Sequence, residues 1–225
     1  MNHFRRFWLP LLLCLVCRVP AQAAEDAKAP APEPAALEDQ VVVTHHQLKL
    51  AGAELAYTAT TGHYVMKDEA GKAKAKMFFV AYQRDGVKDL GRRPVTFAFN
   101  GGPGAAALWV HLGAFGPKRV KLTAEGWPLP PPGTLVDNEH TLLDVSDLVF
   151  IDPVSTGFSR PAPGEDPKQF HGVQEDIASV ADFIRLWTTR NGRWSSPKFI
   201  AGESPTAPRG RRGSPGISRT ATGCT

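Results

Sequence analysis

The chain has 225 residues, 42% hydrophobic and 21% charged, with 21 glycines and 20 prolines. This composition excludes collagen, coiled coil and wholesale disorder, and the length allows one domain or the front part of a larger one. The excess of 26 basic over 22 acidic residues is carried entirely by Arg209, Arg211, Arg212 and Arg219, in a C-terminal segment without a single acid, so it argues for no nucleic-acid partner.

Arg5 and Arg6 precede an apolar run from Phe7 to Cys17, and Ala21-Gln22-Ala23 follows with small residues. That pattern predicts a secretory signal peptide over 1–23, cut after Ala23. The run is interrupted by Pro10 and falls short of the roughly 20 residues needed to cross a bilayer. The expectation is an exported protein, periplasmic or secreted, with no stable membrane anchor after cleavage. Cys14 and Cys17 leave with the signal, so Cys224 alone remains and packing rather than a disulfide framework must hold the fold. Residues 24–39, mostly Ala, Pro and Glu, read as a flexible linker.

From 40 to 204 the pattern is that of a folded domain. Val41–Val43, Gln47–Leu50, Leu55–Thr61, His63–Met66 and Met77–Tyr82 are strand-like, punctuated by Gly52 and Gly62, and predict an antiparallel meander. Val95–Phe99 and Leu148–Ile151 are short apolar runs of the kind that form buried parallel strands. Ile177, Val180, Ala181, Ile184 and Trp187 recur at helical spacing between Val173 and Thr188. Lys198–Ala201 is a last apolar strand, leading into Gly202-Glu203-Ser204. The predicted class is α/β: a mixed central sheet with flanking helices, chemistry at the carboxyl ends of its strands, and the meander in front.

Two loops carry chemistry. Gly202-Glu203-Ser204 after a buried strand is half of a nucleophile elbow, in which a sharp strand-to-helix turn lifts the serine hydroxyl above the sheet. Asn100-Gly101-Gly102-Pro103-Gly104 follows an earlier strand and can turn backbone N–H groups toward a developing oxyanion. Each is also compatible with a plain tight turn. Taken together with Leu112-Gly113-Ala114-Phe115-Gly116-Pro117, Val149-Phe150-Ile151-Asp152-Pro153 and Thr156-Gly157-Phe158-Ser159, the series resembles the serine carboxypeptidase family, of the bacterial exported type, over Val41 to Ser204.

The resemblance implies the N-terminal portion of an α/β-hydrolase fold. It implies Ser204 as nucleophile and the Gly102 N–H as one oxyanion donor, with Asn100, Gly101 and Glu203 binding the free C-terminal carboxylate of a peptide substrate. No cofactor and no metal are implied. A carboxylate ligand for a carboxylate works when the pair shares a proton, which favours acidic pH. Ala114 stands where the vacuolar members carry a second glutamate, and Phe99 stands where a tryptophan often precedes the Asn-Gly-Gly loop.

After Ser204 the pattern departs. Pro205 and Thr206 replace the expected tyrosine and glycine, and proline has no N–H to offer the oxyanion. The hydrolase order is Ser, then Asp or Glu, then His, yet all seven histidines precede Ser204 and no acid follows it. Read one base out of frame, Pro205 onward permits Tyr-Gly and then an alanine-rich helix, so 205–225 is expected to be an aberrant, disordered basic tail from a frameshift, and the chain an inactive, truncated carboxypeptidase. The competing classes are a non-enzymatic exported binding protein and an esterase or acyltransferase on the same scaffold. His45, His46 and His63 are read as surface histidines rather than metal ligands, because adjacent strand residues point to opposite faces.

Overall fold

The computed structural model describes residues 37–102 and 104–203, all within the unit that begins at Ala36. The expected signal peptide, linker residues 24–36 and the tail 205–225 lie outside the described residues. Three long strands come first: β1 (Gln40–Leu50), β2 (Ala53–Lys67) and β3 (Ala73–Arg84). They pair antiparallel in sequence order, as the meander reading expects. The breaks expected within them are absent. Gly62 lies inside β2 opposite Val41, and a Cβ there would come within 1.9 Å of the Gln40 carbonyl oxygen. Close approach of the β1 backbone, not a turn, accounts for this glycine. Asp39, the last residue of the expected linker, is anchored: it accepts the Val65 N–H at 2.8 Å and pairs with Arg190.

The chain continues through β4 (Val95–Asn100), a short helix α1 (Leu108–Val110) that widens into a π-turn over His111–Phe115, and the hairpin strands β5 (Lys118–Val120) and β6 (Leu135–Asp137). Then follow β7 (Asp147–Ile151), the short β8 (Arg160–Pro161), a 3-10 turn at Pro167–Phe170, α2 (Val173–Arg190) and β9 (Lys198–Glu203). The main sheet runs β1-β2-β3-β7-β4-β9, with β8 added on β3. β3 meets β7 antiparallel, while β7, β4 and β9 are parallel. Every residue of β7 is buried, which is why its run Asp147-Leu-Val-Phe-Ile151 lacks alternation.

The two-residue period of the strands divides the core between two faces. Met77 and Phe79 of β3, Phe97 of β4 and Val149 and Ile151 of β7 pack on one face with Val180, Phe183 and Trp187 of α2. Ala98, Leu148 and Phe150 look to the other, against Ala107 and Val110. α2 carries Glu175 and Asp176 in its first turn and Arg190 in its last, the charge order that complements the helix dipole. Its buried face is rotated from the expected one: Phe183 is fully buried, whereas Ile177 is 55% exposed. β9 also departs from expectation. It is an edge strand among the described residues, with Phe199 and Ile200 exposed, because β4 pairs it on one side only.

Candidate active site

The parallel register of β4 and β9 brings Phe99 opposite Gly202 and Asn100 opposite Glu203. The two sequence motifs therefore leave the sheet side by side, at the carboxyl ends of neighbouring parallel strands. The ladder continues one step past the strand, with the Gly101 N–H donating to the Glu203 carbonyl at 2.7 Å. Gly102 follows at φ 104°. Pro103 and Ser204 lie outside the described residues.

Asn100 is 2% exposed, and both ends of its amide are used. Its Oδ1 accepts the Val110 N–H at 3.1 Å, and its Nδ2 donates to Glu203 Oε2 at 2.9 Å. The backbone donor at Val110 decides the orientation of the amide: oxygen toward α1, NH2 toward Glu203. Glu203 itself is exposed. A buried amide that presents its donors beside an exposed carboxylate can recognise a second carboxylate, provided the pair of acids holds one proton between them.

Five of the six described histidines are engaged by other groups. His111 packs flat on Phe150, with ring centroids 4.5 Å apart, and its Nε2 lies 2.7 Å from the Tyr82 hydroxyl. Burial pulls its pKa down to about 4 and pushes the Tyr82 hydroxyl up, so a neutral ring and a protonated phenol share the bond. His171 Nε2 lies 3.0 Å from Ser155 Oγ. His46 stacks on Tyr57, His45 Nδ1 meets Thr58 Oγ1 at 3.0 Å, and His63 Nε2 reaches the Phe158 carbonyl at 3.1 Å. No metal-holding group of three or more His, Cys, Asp or Glu occurs among the described residues.

A family model described as serine carboxypeptidase matches residues 52–205, and so takes in both loops and the strands that carry them. The chain belongs to the serine carboxypeptidase family. Over 163 residues it is 28% identical to Serine carboxypeptidase-like 20 of Arabidopsis thaliana, a match covering 69% of this chain and 30% of that protein. Its structure is similar to that of Kex1Δp, a prohormone-processing carboxypeptidase from Saccharomyces cerevisiae. There the TM-score is 0.51 at 24% identity, covering 64% of this chain and 30% of the yeast chain. The chain thus spans about a third of the length of these carboxypeptidases, and its mixed sheet is the corresponding part of an α/β-hydrolase fold.

Sequence reasoning missed one buried carboxylate beside these loops. Asp152, buried at the end of β7, accepts the Ala107 N–H at 2.9 Å and the Phe158 N–H at 3.1 Å. In sequence Asp152-Pro153 is only the end of a motif, which hides a carboxylate with two backbone donors. The available signal was an acid placed directly after the apolar run Leu148–Ile151, where it must find partners or destabilise the fold. Among the described residues, no helix is long and apolar enough to cross a membrane.

Proposed function

We propose that this chain carries the nucleophile and the carboxylate-binding part of a serine carboxypeptidase, exported behind the signal peptide at 1–23 and directed at peptides with a free C-terminal carboxylate. The observation that carries this reading is the pairing of Asn100 with Glu203 across the ends of β4 and β9. Ser204, next in the chain to Glu203, is the nucleophile. The Gly102 N–H is an oxyanion donor. Asn100, Gly101 and Glu203 hold the terminal carboxylate: the Asn100 amide keeps one N–H for the ligand, and Glu203 shares a proton with it.

The reaction is attack of the Ser204 hydroxyl oxygen on the last peptide carbonyl carbon, release of the terminal amino acid and hydrolysis of the acyl-serine by water. It needs a base for the hydroxyl proton. No histidine follows Ser204 in these 225 residues, and the Nε2 atoms of His111 and His171 face Tyr82 and Ser155. Pro205 removes a second oxyanion donor, a loss worth about 3 kcal/mol of transition-state stabilisation. The 225-residue chain therefore binds a terminal carboxylate without turning the peptide over. The tail from Pro205 is the product of a slipped reading frame, which sequencing the DNA around codon 204 tests directly.

Two measurements test the function. An N-blocked dipeptide shifts the Asn100 side-chain NH2 resonances at acidic pH, whereas its C-terminal amide does not. Neither turnover of blocked dipeptides nor fluorophosphonate labelling of Ser204 is expected at acidic or neutral pH. Turnover abolished by Ser204→Ala would overturn the claim of inactivity, and equal binding of acid and amide would overturn the carboxylate site.

A further inference from the structure

Asp152 stands at the carboxyl end of β7, the strand beside β4, and is 6% exposed. Its two oxygens are divided between two loops: Oδ1 accepts the Ala107 N–H, and Oδ2 accepts the Phe158 N–H. Ala107 ends the loop that leads from Asn100 into α1, where the first N–H groups have no acceptor within the helix. The fit around the carboxylate is close. A Cβ at Gly157 would lie 1.8 Å from Oδ2 and 2.9 Å from the Ala106 Cβ, so the loops touch around the carboxylate and position 157 admits no side chain. The Asp152 backbone is held in turn, because its carbonyl accepts from Ser159 Oγ at 2.6 Å and that same oxygen accepts the Phe78 N–H of β3 at 2.8 Å.

The opposite side of the turn is held by Asn100, through the Val110 N–H. Ala107 and Val110 are thereby each held by a buried side chain, and Gly102 precedes the first of them after the end of β4. We infer that Asp152 is a positioning residue: its carboxylate, shared between the Ala107 and Phe158 N–H groups, sets the path of the loop that carries Gly102. This rests on the reading of Gly102 as oxyanion donor given above. Among the described residues the Asp152 carboxylate bonds only to backbone N–H groups, and it acts through them. Both of its partners are donors, so an amide cannot replace it. In Asp152→Asn one oxygen remains an acceptor, and the NH2 group meets the other N–H head-on.

Amide hydrogen exchange, followed by NMR on the full chain, separates this role from plain contribution to the core. Val180→Ala is the control, because Val180 of α2 packs into the core on the other face of the sheet and its truncation lowers stability without removing a partner of the Ala107 or Phe158 N–H. Asp152→Asn should lose protection tenfold or more at one of Ala107 and Phe158 and keep it at the other. Asp152→Ala should lose it at both and shift the Gly101 and Gly102 resonances, while Phe97 and Ala98 of β4 change no more than in Val180→Ala. Exchange at Ala107 and Phe158 that rises only in step with Phe97 in every variant would overturn the inference. Should the alanine variant not fold, the asparagine variant alone decides. The carboxypeptidase reading fails separately, through an Asn100 side chain that does not respond to the blocked dipeptide.

Discussion

Acid should weaken this fold through His111 before its carboxylates begin to titrate. The ring is stacked on Phe150 and bonded to the Tyr82 hydroxyl, and burial holds its pKa at about 4, against 6.5 for a free histidine. A histidine whose folded pKa is depressed contributes stability above the unfolded pKa, and that contribution is lost as pH falls toward the folded value. With these two pKa values the loss between pH 7 and pH 5 is about 2 kcal/mol, and at pH 4 it reaches about 3 kcal/mol. Pairing with Lys72 and Lys74 holds Glu165, and pairing with Arg119 holds Glu139, at about 2. Their contributions fade only below the unfolded carboxylate range, so the window from pH 7 to pH 5 belongs to histidine. The perturbation is His111→Phe, which keeps the ring stack and removes the titrating group. At pH 7 it costs about 1–3 kcal/mol, because the buried Tyr82 hydroxyl loses its partner. Urea unfolding at a series of pH values should therefore show two lines that converge: the wild type falling by about 2 kcal/mol toward pH 5, the variant lower at pH 7 and nearly flat. An equal fall in both proteins would refute the reasoning.

Other expectations follow from single contacts. Arg193→Ala should lower the urea-unfolding free energy by about 3–5 kcal/mol, because Arg193 is fully buried and pairs with the fully buried Asp147; a loss below 1 kcal/mol would deny that the pair is dry. Gly62→Ala should destabilise by at least about 1–3 kcal/mol and free the β1 amides to exchange, since its methyl group would meet the Gln40 carbonyl. Ile200→Lys, on the exposed edge strand β9, should reduce self-association in sedimentation velocity while leaving thermal stability within about 0.5 kcal/mol of wild type.

Much of the architecture was legible because its signals are local. Val95–Phe99 and Leu148–Ile151 are apolar without alternation, as buried parallel strands must be, and they became β4 and β7. Asn100 and Glu203 were brought together only by the resemblance to the serine carboxypeptidases; that they stand at the ends of neighbouring parallel strands is seen in the structure. What stayed hidden depends on distant partners. Gly62 marks an approach of β1 rather than a break. The face of α2 was misjudged because Phe183 finds the Phe79 and Tyr64 rings across the core, a choice that spacing along the helix cannot reveal. Prolines and glycines between Gly116 and Gly133 masked the β5–β6 hairpin, and although the position of Asp152 after an apolar run signals a partnered acid, which loops it anchors depends on segments distant in the chain.

The chemistry at one end of the sheet depends on a buried ion cluster at the other. At the start of β7, Asp147 takes Arg93 Nε on one oxygen and Arg193 Nη1 on the other. Arg193 donates onward to the Arg93 carbonyl at 2.9 Å, Ser196 Oγ donates to the Leu90 carbonyl at 2.8 Å, and the Val95 N–H donates to the Pro197 carbonyl at 2.9 Å. These bonds fasten the segment entering β9 to the segment entering β4 and thereby choose the register, Val95 opposite Lys198. A strand shifted by one residue turns every side chain to the other face. Asn100 would then lose Glu203 and present its amide to a glycine, although neither residue touches the arginines. Such a buried, doubly paired carboxylate adds little net stability over an apolar core of the same shape; its use here is to fix one register out of two, and the Asn100–Glu203 pair is what that register delivers.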